Sequence, residues 1–211
     1  MKEILIFGHK SPDTDTTTSA IVMADIEKKL GNESKACVLG KINKETEYVL
    51  NYLNIEMPGI LEEVIEGQNV ILVDHNEFSQ SVKGIEAANI LKVIDHHRIS
   101  DFKTDSPLYY RSEPVGCTAT VLYKLYKENN LEIEKKYAML MLSAIISDTL
   151  LFKSPTCTNE DREIANELLK LVDIDINSYG MDLLKARNRF KCFFWKRVIR
   201  NRCKRSYVKR S

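Results

Sequence analysis

The stretch NVILVDHNEFSQSVKGIEAANILKVIDHH, residues 69–97, decides the fold. It holds two short apolar runs, 69–74 and 89–95, and each runs straight into a charged cluster, Asp74-His75 and then Asp95-His96-His97. Short, continuously apolar runs read as strands covered on both faces. Further runs of the same kind lie on either side: EILIFG (3–8), KACVLG (35–40) and LYYRS (108–112). The segments 19–30, stopped by Gly31, and 44–53 have helical spacing. HKSPDTDTTTS (9–19) reads as a polar loop and 58–68 as a connection. Beyond the strands, 116–129, 135–150 and 159–171 read as helices; the second is apolar nearly all round and is expected to be buried. Strands alternating with helices predict an α/β fold, a mainly parallel sheet flanked by helices.

The chain has 211 residues, 44% of them apolar and 29% charged, as in ordinary globular proteins. No run approaches the roughly 18 apolar residues of a membrane span. The opening MKEILIFGHK is read as a strand, with no signal-peptide cleavage pattern after it. The five cysteines are scattered and odd in number, with no CxxC pair. That excludes a disulfide framework or zinc finger and predicts reduced thiols and a cytoplasmic location. The net charge of +1 conceals an asymmetry: residues 187–211 hold 11 Lys/Arg and no acid, leaving a net of −10 for 1–186. We therefore expect one domain over 1–186 and a separate basic tail over 187–211.

All four histidines, His9, His75, His96 and His97, directly follow predicted strands. In an open parallel sheet, ligands bind outside the carboxyl ends of the strands. Asp13 and Asp15 follow His9, Asp74 precedes His75, and Asp148 lies near the end of an apolar helix. Singly, such residues are usually caps, turn formers or hydrogen-bonded structural groups. Clustered at one sheet edge, imidazoles and carboxylates suit Mn²⁺, Fe²⁺, Co²⁺ or Zn²⁺. A shared carboxylate suits two ions about 3.5–4 Å apart, as in two-metal phosphate hydrolysis. No Gly-x-x-x-x-Gly-Lys loop occurs, which excludes a P-loop nucleotide site. An acid on an apolar helix, as at Asp148, is costly unless paired or metal-bound. Adjacent strand-end residues diverge, so Asp74 and His75 need not both face the metals.

Gly8-His9-x-x-Pro12-Asp13-x-Asp15, Val73-Asp74-His75-Asn76-Glu77 and Asp95-His96-His97 together resemble the DHH phosphoesterase superfamily. Val73–Glu77 and Phe152-Lys153-Ser154-Pro155-Thr156-Cys157-Thr158 are similar to the manganese-dependent (family II) inorganic pyrophosphatases. The resemblance spans about residues 1–186. It implies a first metal held by His9, Asp13 and Asp74, and a second held by Asp15, Asp74, His96 and Asp148. It implies that His97 faces the substrate and helps protonate the leaving phosphate, while Asp95 supports a histidine. Two Mn²⁺ per subunit are expected, with Co²⁺ as a substitute and Mg²⁺ arriving on pyrophosphate. A homodimer formed through this domain is implied, with neither membrane nor nucleic acid as partner. The rival substrates within the superfamily are short oligonucleotides, cyclic dinucleotides and polyphosphate.

The family carries a second domain whose Lys and Arg residues, including a Ser-Arg-Lys-Lys type motif, grip the phosphates. Residues 187–211 do not resemble its linker. Three readings of this tail compete: a nucleic-acid-binding arm, a basic membrane-surface helix, and translation out of frame. Read one base later, residues 187–191 give Gly-Thr-Asp-Leu as an allowed solution, and 200–206 give Glu-Ile-Asp-Ala-Lys-Glu. Both resemble the family's linker, so a single-base slip near Ala186 is the favoured reading. On that reading the substrate-binding domain is missing, and this chain binds Mn²⁺ but hydrolyses pyrophosphate poorly.

Overall fold

The computed structural model describes residues 3–100 and 102–187. The basic tail beyond Arg187, with every reading made of it, lies outside the described residues. Six strands make one sheet: β1 (Ile4–Phe7), β2 (Ser34–Val38), β3 (Gly59–Ile60), β4 (Asn69–Val73), β5 (Asn89–Asp95) and β6 (Tyr109–Ser112). Their spatial order is β3-β2-β1-β4-β5-β6 and every pairing is parallel. The helices are α1 (Thr14–Lys29), α2 (Lys44–Tyr52), α3 (Thr118–Glu128), α4 (Lys135–Thr149) and α5 (Asn159–Leu169). Residues 176–187 are helical as well.

Strand alternation splits the core in two. Ile4, Ile6, Ile71, Val73 and Ile94 face the helices. Leu5, Phe7, Val70, Leu72 and Val93 face the opposite way, onto Val64, Val82, Ile85 and Phe78. A parallel crossover is almost always right-handed, so the connections must change faces where the strand order reverses. They do: α1 and α2 follow β1 and β2 on one face, and 3₁₀ turns (Phe78–Gln80, Ile85–Ala87) cover the other face after β4. α4 is buried all round from Ala138 to Ser147, as its unbroken apolar sequence predicts. Truncating Leu142, which is fully buried, to Ala is expected to cost about 2–5 kcal/mol.

Two sequence expectations are corrected. The stretch 9–19 is not loop throughout, because α1 begins at Thr14, five residues before the predicted start. The Thr run looked like loop because it is polar and β-branched. In the fold it is the buried first turn of a helix, capped by Asp13. Second, 58–68 contains β3, a two-residue exposed edge strand too short to leave a periodic signal. Among the described residues no helix is long and apolar enough to cross a membrane.

Candidate metal centre

Strand order reverses between β1 and β4, and the chain leaves these two strands in opposite directions, which opens a crevice at their carboxyl ends. His9 follows β1, Asp74 follows β4, and His96 follows β5. A Cβ at Gly8 would lie 2.4 Å from Thr16 Cγ2, so glycine here lets the first turn of α1 close onto the end of β1. Thr16 N–H donates to Asp13 Oδ1 at 3.0 Å, which starts α1 and leaves Asp13 Oδ2 3.8 Å from His9 Nε2. Asp74 itself adopts the left-handed region (φ 60°), which costs a non-glycine residue roughly 1–2 kcal/mol. Hydroxyls hold it there: Thr16 Oγ1 donates to Oδ2 at 2.6 Å and Thr118 Oγ1 to Oδ1 at 3.0 Å.

Asp74 is the centre of the arrangement. Its Oδ2 lies 3.6 Å from His9 Nε2, and its Oδ1 lies 3.3 Å from His96 Nε2. Asp15 Oδ2 is 3.9 Å from the same His96 nitrogen. Asp15 is completely buried; Thr118 N–H, at the start of α3, donates to its Oδ2 at 2.6 Å, and Ser19 Oγ donates to its Oδ1 at 2.7 Å. Two sets of three ligand atoms fall within 4.8 Å of one another, His9–Asp13–Asp74 and Asp15–His96–Asp148. A third set, Asp74–His96–His97, joins them.

The imidazoles are oriented for ligation. A carbonyl can only accept, so His9 Nδ1–H donates to the Lys10 carbonyl (2.7 Å) and His96 Nδ1–H to that of Val115 (3.0 Å). Each Nε2 then faces the carboxylates and is the atom left to ligate once it gives up its proton, the arrangement usual for metal-bound histidines. The Nε2-to-carboxylate separations of 3.3–3.9 Å exceed normal hydrogen bonds. They approach the roughly 3.0–3.5 Å between neighbouring ligands at about 2.1 Å from one ion. The nitrogen and oxygen donors together fit Mn²⁺, Co²⁺ or Zn²⁺.

Electrostatics point the same way. Among the described residues no Lys or Arg forms an ion pair with Asp13, Asp15, Asp74 or Asp148; only histidines approach them. Burial and the charge of Asp74 push Asp15 up to about 7. Burial, with Asp15, Asp13 and Asp74, drives Asp148 well above the carboxylate range. Burial would raise Asp74 too, but His96, His97 and His9 outweigh it and hold Asp74 well below that range. Burial lowers His9 and His96, yet Asp13 and Asp74 around the first, and Asp74 and Asp15 around the second, raise each to about 9.

The remaining predicted residues separate. His97 is half-exposed, and its Nδ1 meets Asp95 Oδ1 at 2.9 Å. Asp95 is fully buried and also accepts the backbone N–H of His96 and His97 on that oxygen, so it shapes the loop. His75 turns away: its Nδ1–H donates to the Val73 carbonyl, its ring lies 6.3 Å from that of Phe7, and burial pushes its pKa below the ordinary imidazole value. Thr16, Ser19, Asn76 and Thr118 were missed by the sequence reading, since hydroxyls and amides carry no spacing signature. A cleft of about 560 Å³ opens over Asp13, Asp74, His96, His97 and Asp148.

A profile of the DHH family, N-terminal domain, matches residues 3–145. The chain belongs to the DHH family. Compared with other proteins, this DHH chain is 57% identical over 187 residues to the manganese-dependent inorganic pyrophosphatase of Bacillus subtilis, covering 88% of this chain and 60% of that one. It superposes with a TM-score of 0.80 on the crystal structure of a Methanococcus jannaschii protein assigned to the family II inorganic pyrophosphatases. That match has 41% identity and covers 87% of this chain and 61% of the other. An exopolyphosphatase-related protein from Bacteroides fragilis shares the fold, with a TM-score of 0.63 at 16% identity over 89% of this chain and 56% of that one. The DHH chain thus spans about 60% of the length of the curated relatives it matches.

Proposed function

We propose that these residues form the metal-binding part of a manganese-dependent inorganic pyrophosphatase, cleaving pyrophosphate into two phosphates. One observation carries the reading: the two oxygens of Asp74 face two different histidines, each flanked by further carboxylates. His9, Asp13 and Asp74 would hold one ion; Asp15, Asp74, His96 and Asp148 would hold the other, with Asp74 shared. Mn²⁺ is the metal proposed, Co²⁺ a substitute, and Mg²⁺ enters on the substrate. Bound there, a divalent pair supplies an activated water and neutralises charge on the phosphoryl oxygens. His97 is the proton donor to the leaving phosphate. Its Nδ1–H is fixed on Asp95, which leaves Nε2 as the atom that exchanges a proton. A homodimer and a cytoplasmic location belong to the same proposal.

Within the described residues, Lys10, Arg98 and Arg187 are the only Lys or Arg lining the two crevices that meet at Asp74 and His97. Charge neutralisation dominates hydrolysis of so highly charged a substrate. Slow turnover is therefore expected of this chain alone.

Calorimetry with Mn²⁺ and assays of phosphate release from pyrophosphate test the proposal in the full chain. Two ions per chain and slow, Mn²⁺-dependent phosphate release are expected. Binding of a single ion, or release of nucleoside monophosphate from a short oligonucleotide with pyrophosphate untouched, would overturn it. Turnover matching a full-length relative would refute the expected slowness.

A further inference from the structure

Asn76 lies one residue beyond His75 and is 1% exposed, yet its amide bonds are all directed at the loop that carries His96 and His97. Its Nδ2 donates to Asp95 Oδ2 at 2.6 Å and to the Arg98 carbonyl at 2.9 Å, and its Oδ1 accepts Ser100 N–H at 2.8 Å. Asp95 divides its two oxygens. Oδ1 takes the backbone N–H groups of His96 (2.8 Å) and His97 (3.1 Å) and the ring Nδ1–H of His97 (2.9 Å), while Oδ2 takes Asn76. Without the Asn76 amide the second oxygen of this buried carboxylate has no partner, and Asp95 can tilt to seek one, which draws Oδ1 off the line to the imidazole.

We propose that Asn76 is a positioning residue for His97, acting through Asp95: its amide clamps the carboxylate so that Oδ1 holds the His97 Nδ1 proton and Nε2 faces the cleft. This rests on the reading of His97 as proton donor. The geometry calls for an amide in particular. Aspartate has the same shape and still accepts from Ser100 N–H, but it sets a second carboxylate against Asp95 in place of a donor. Asn76 contacts neither Asp13, Asp15, Asp74 nor Asp148 through any of these bonds, so its role is separable from metal binding.

The test is the tautomer of His97, read by ¹⁵N–¹H correlation in the metal-free full chain labelled at its four histidines, at alkaline pH. In the unaltered chain His97 is expected as the Nδ1–H form. In Asn76→Ala and Asn76→Asp it is expected to pass to the Nε2–H form that free imidazole prefers, while His9 and His96 keep Nδ1–H on their backbone carbonyls. Mn²⁺ affinity should move less than about threefold, and kcat for pyrophosphate should fall about tenfold or more at unchanged KM. His97 keeping Nδ1–H in both variants overturns the proposal, as does Nε2–H in the unaltered chain. If pyrophosphate proves not to be a substrate, the functional reading fails and the tautomer still decides the role of Asn76.

Discussion

The two ends of α1 both bury carboxylates, and they treat them in opposite ways. At the far end, Asp25 meets Lys29 Nζ at 2.6 Å and the Tyr126 hydroxyl at 2.6 Å. Glu27, 1% exposed, meets Lys92 Nζ at 2.5 Å and the Asn32 amide at 2.7 Å. Each acid there has a cation of its own. At the near end, Asp15 and Asp74 are likewise buried, Asp13 and Asp148 stand beside them, and no Lys or Arg of the described chain pairs with any of the four. Burying unpaired charge costs several kcal/mol per ion. The far end answers each acid with Lys, whereas the near end leaves its acids to histidines and to one another, and under the proposed function Mn²⁺ supplies the missing cations. The first way to break that comparison is Asp74→Asn. It removes the carboxylate shared by both ligand sets, and Mn²⁺ affinity at both positions is expected to fall about 10³-fold, like removal of a buried charged partner worth roughly 3–5 kcal/mol. Calorimetry showing one site intact would mean that Asp74 is not shared.

The same contrast predicts opposite signs for neutralising one acid at each end of the metal-free chain. Glu27→Gln leaves Lys92, itself three-quarters buried, without its partner and should destabilise by about 1–3 kcal/mol. Asp15→Asn should stabilise by about 1 kcal/mol, since the ionised form is opposed by burial and by Asp74. An amide also fits there: its oxygen accepts Thr118 N–H and its nitrogen donates to Ser19 Oγ. Urea unfolding in the presence of a chelator measures both, and two changes of the same sign would remove the distinction between the ends.

The pH dependence sharpens it further. Without metal, Asp15 is raised from 3.8 to about 7, and His9 and His96 from 6.5 to about 9. Each binds its proton more tightly folded than unfolded. Each therefore contributes stability that is complete below its unfolded value and is lost as pH rises through its folded value. The metal-free melting temperature should fall from about pH 4 to about pH 9. Asp74, held low, acts in the other direction, but its contribution is lost only in strong acid. Ligation needs these same groups deprotonated, so the stabilisation added by Mn²⁺ should grow with pH over that range. Thermal melts with and without Mn²⁺ give both slopes, and a Mn²⁺ increment independent of pH would contradict ligation by these side chains.

The fold, and the gathering of histidines and aspartates at one sheet edge, were legible because both are written in short-range pattern. Apolar runs marked β1, β2, β4 and β5, and the position of the histidines and Asp74 just past strand ends placed them on one edge, while Asp148 stood out as an acid on an apolar helix. What surrounds those residues was not legible. Thr16, Ser19 and Thr118 touch Asp74 and Asp15 across as many as 103 residues of sequence, through hydroxyls that look like any other loop or helix Ser and Thr. The late start assigned to α1 has the same origin, since Thr14 to Ser19 are polar in sequence and buried in the fold. Asp95 and His75 sit in the same motifs as Asp74 and His96 but point elsewhere, Asp95 onto His97 and His75 onto the Val73 carbonyl, as the divergence of adjacent strand-end residues and the family resemblance imply.

Thr118→Val tests that silent layer with the smallest expected change. The substitution keeps the shape and the backbone N–H that binds Asp15, and removes only the hydroxyl that donates to Asp74 Oδ1 at 3.0 Å. Residues that orient metal ligands typically alter affinity by about 10–100-fold. The lower end is expected here, because Thr16 still fixes the other oxygen of Asp74. The loss should fall mainly on the ion held with His96, since Oδ1 is the oxygen facing that ring. Calorimetry resolving two Mn²⁺ sites would show one isotherm displaced and the other nearly unmoved. Equal weakening of both sites would mean that the Asp74 carboxylate rotates as a unit, with Thr118 setting its angle for both ions. No weakening would mean that the left-handed backbone at Asp74 and the Thr16 hydroxyl fix the carboxylate by themselves.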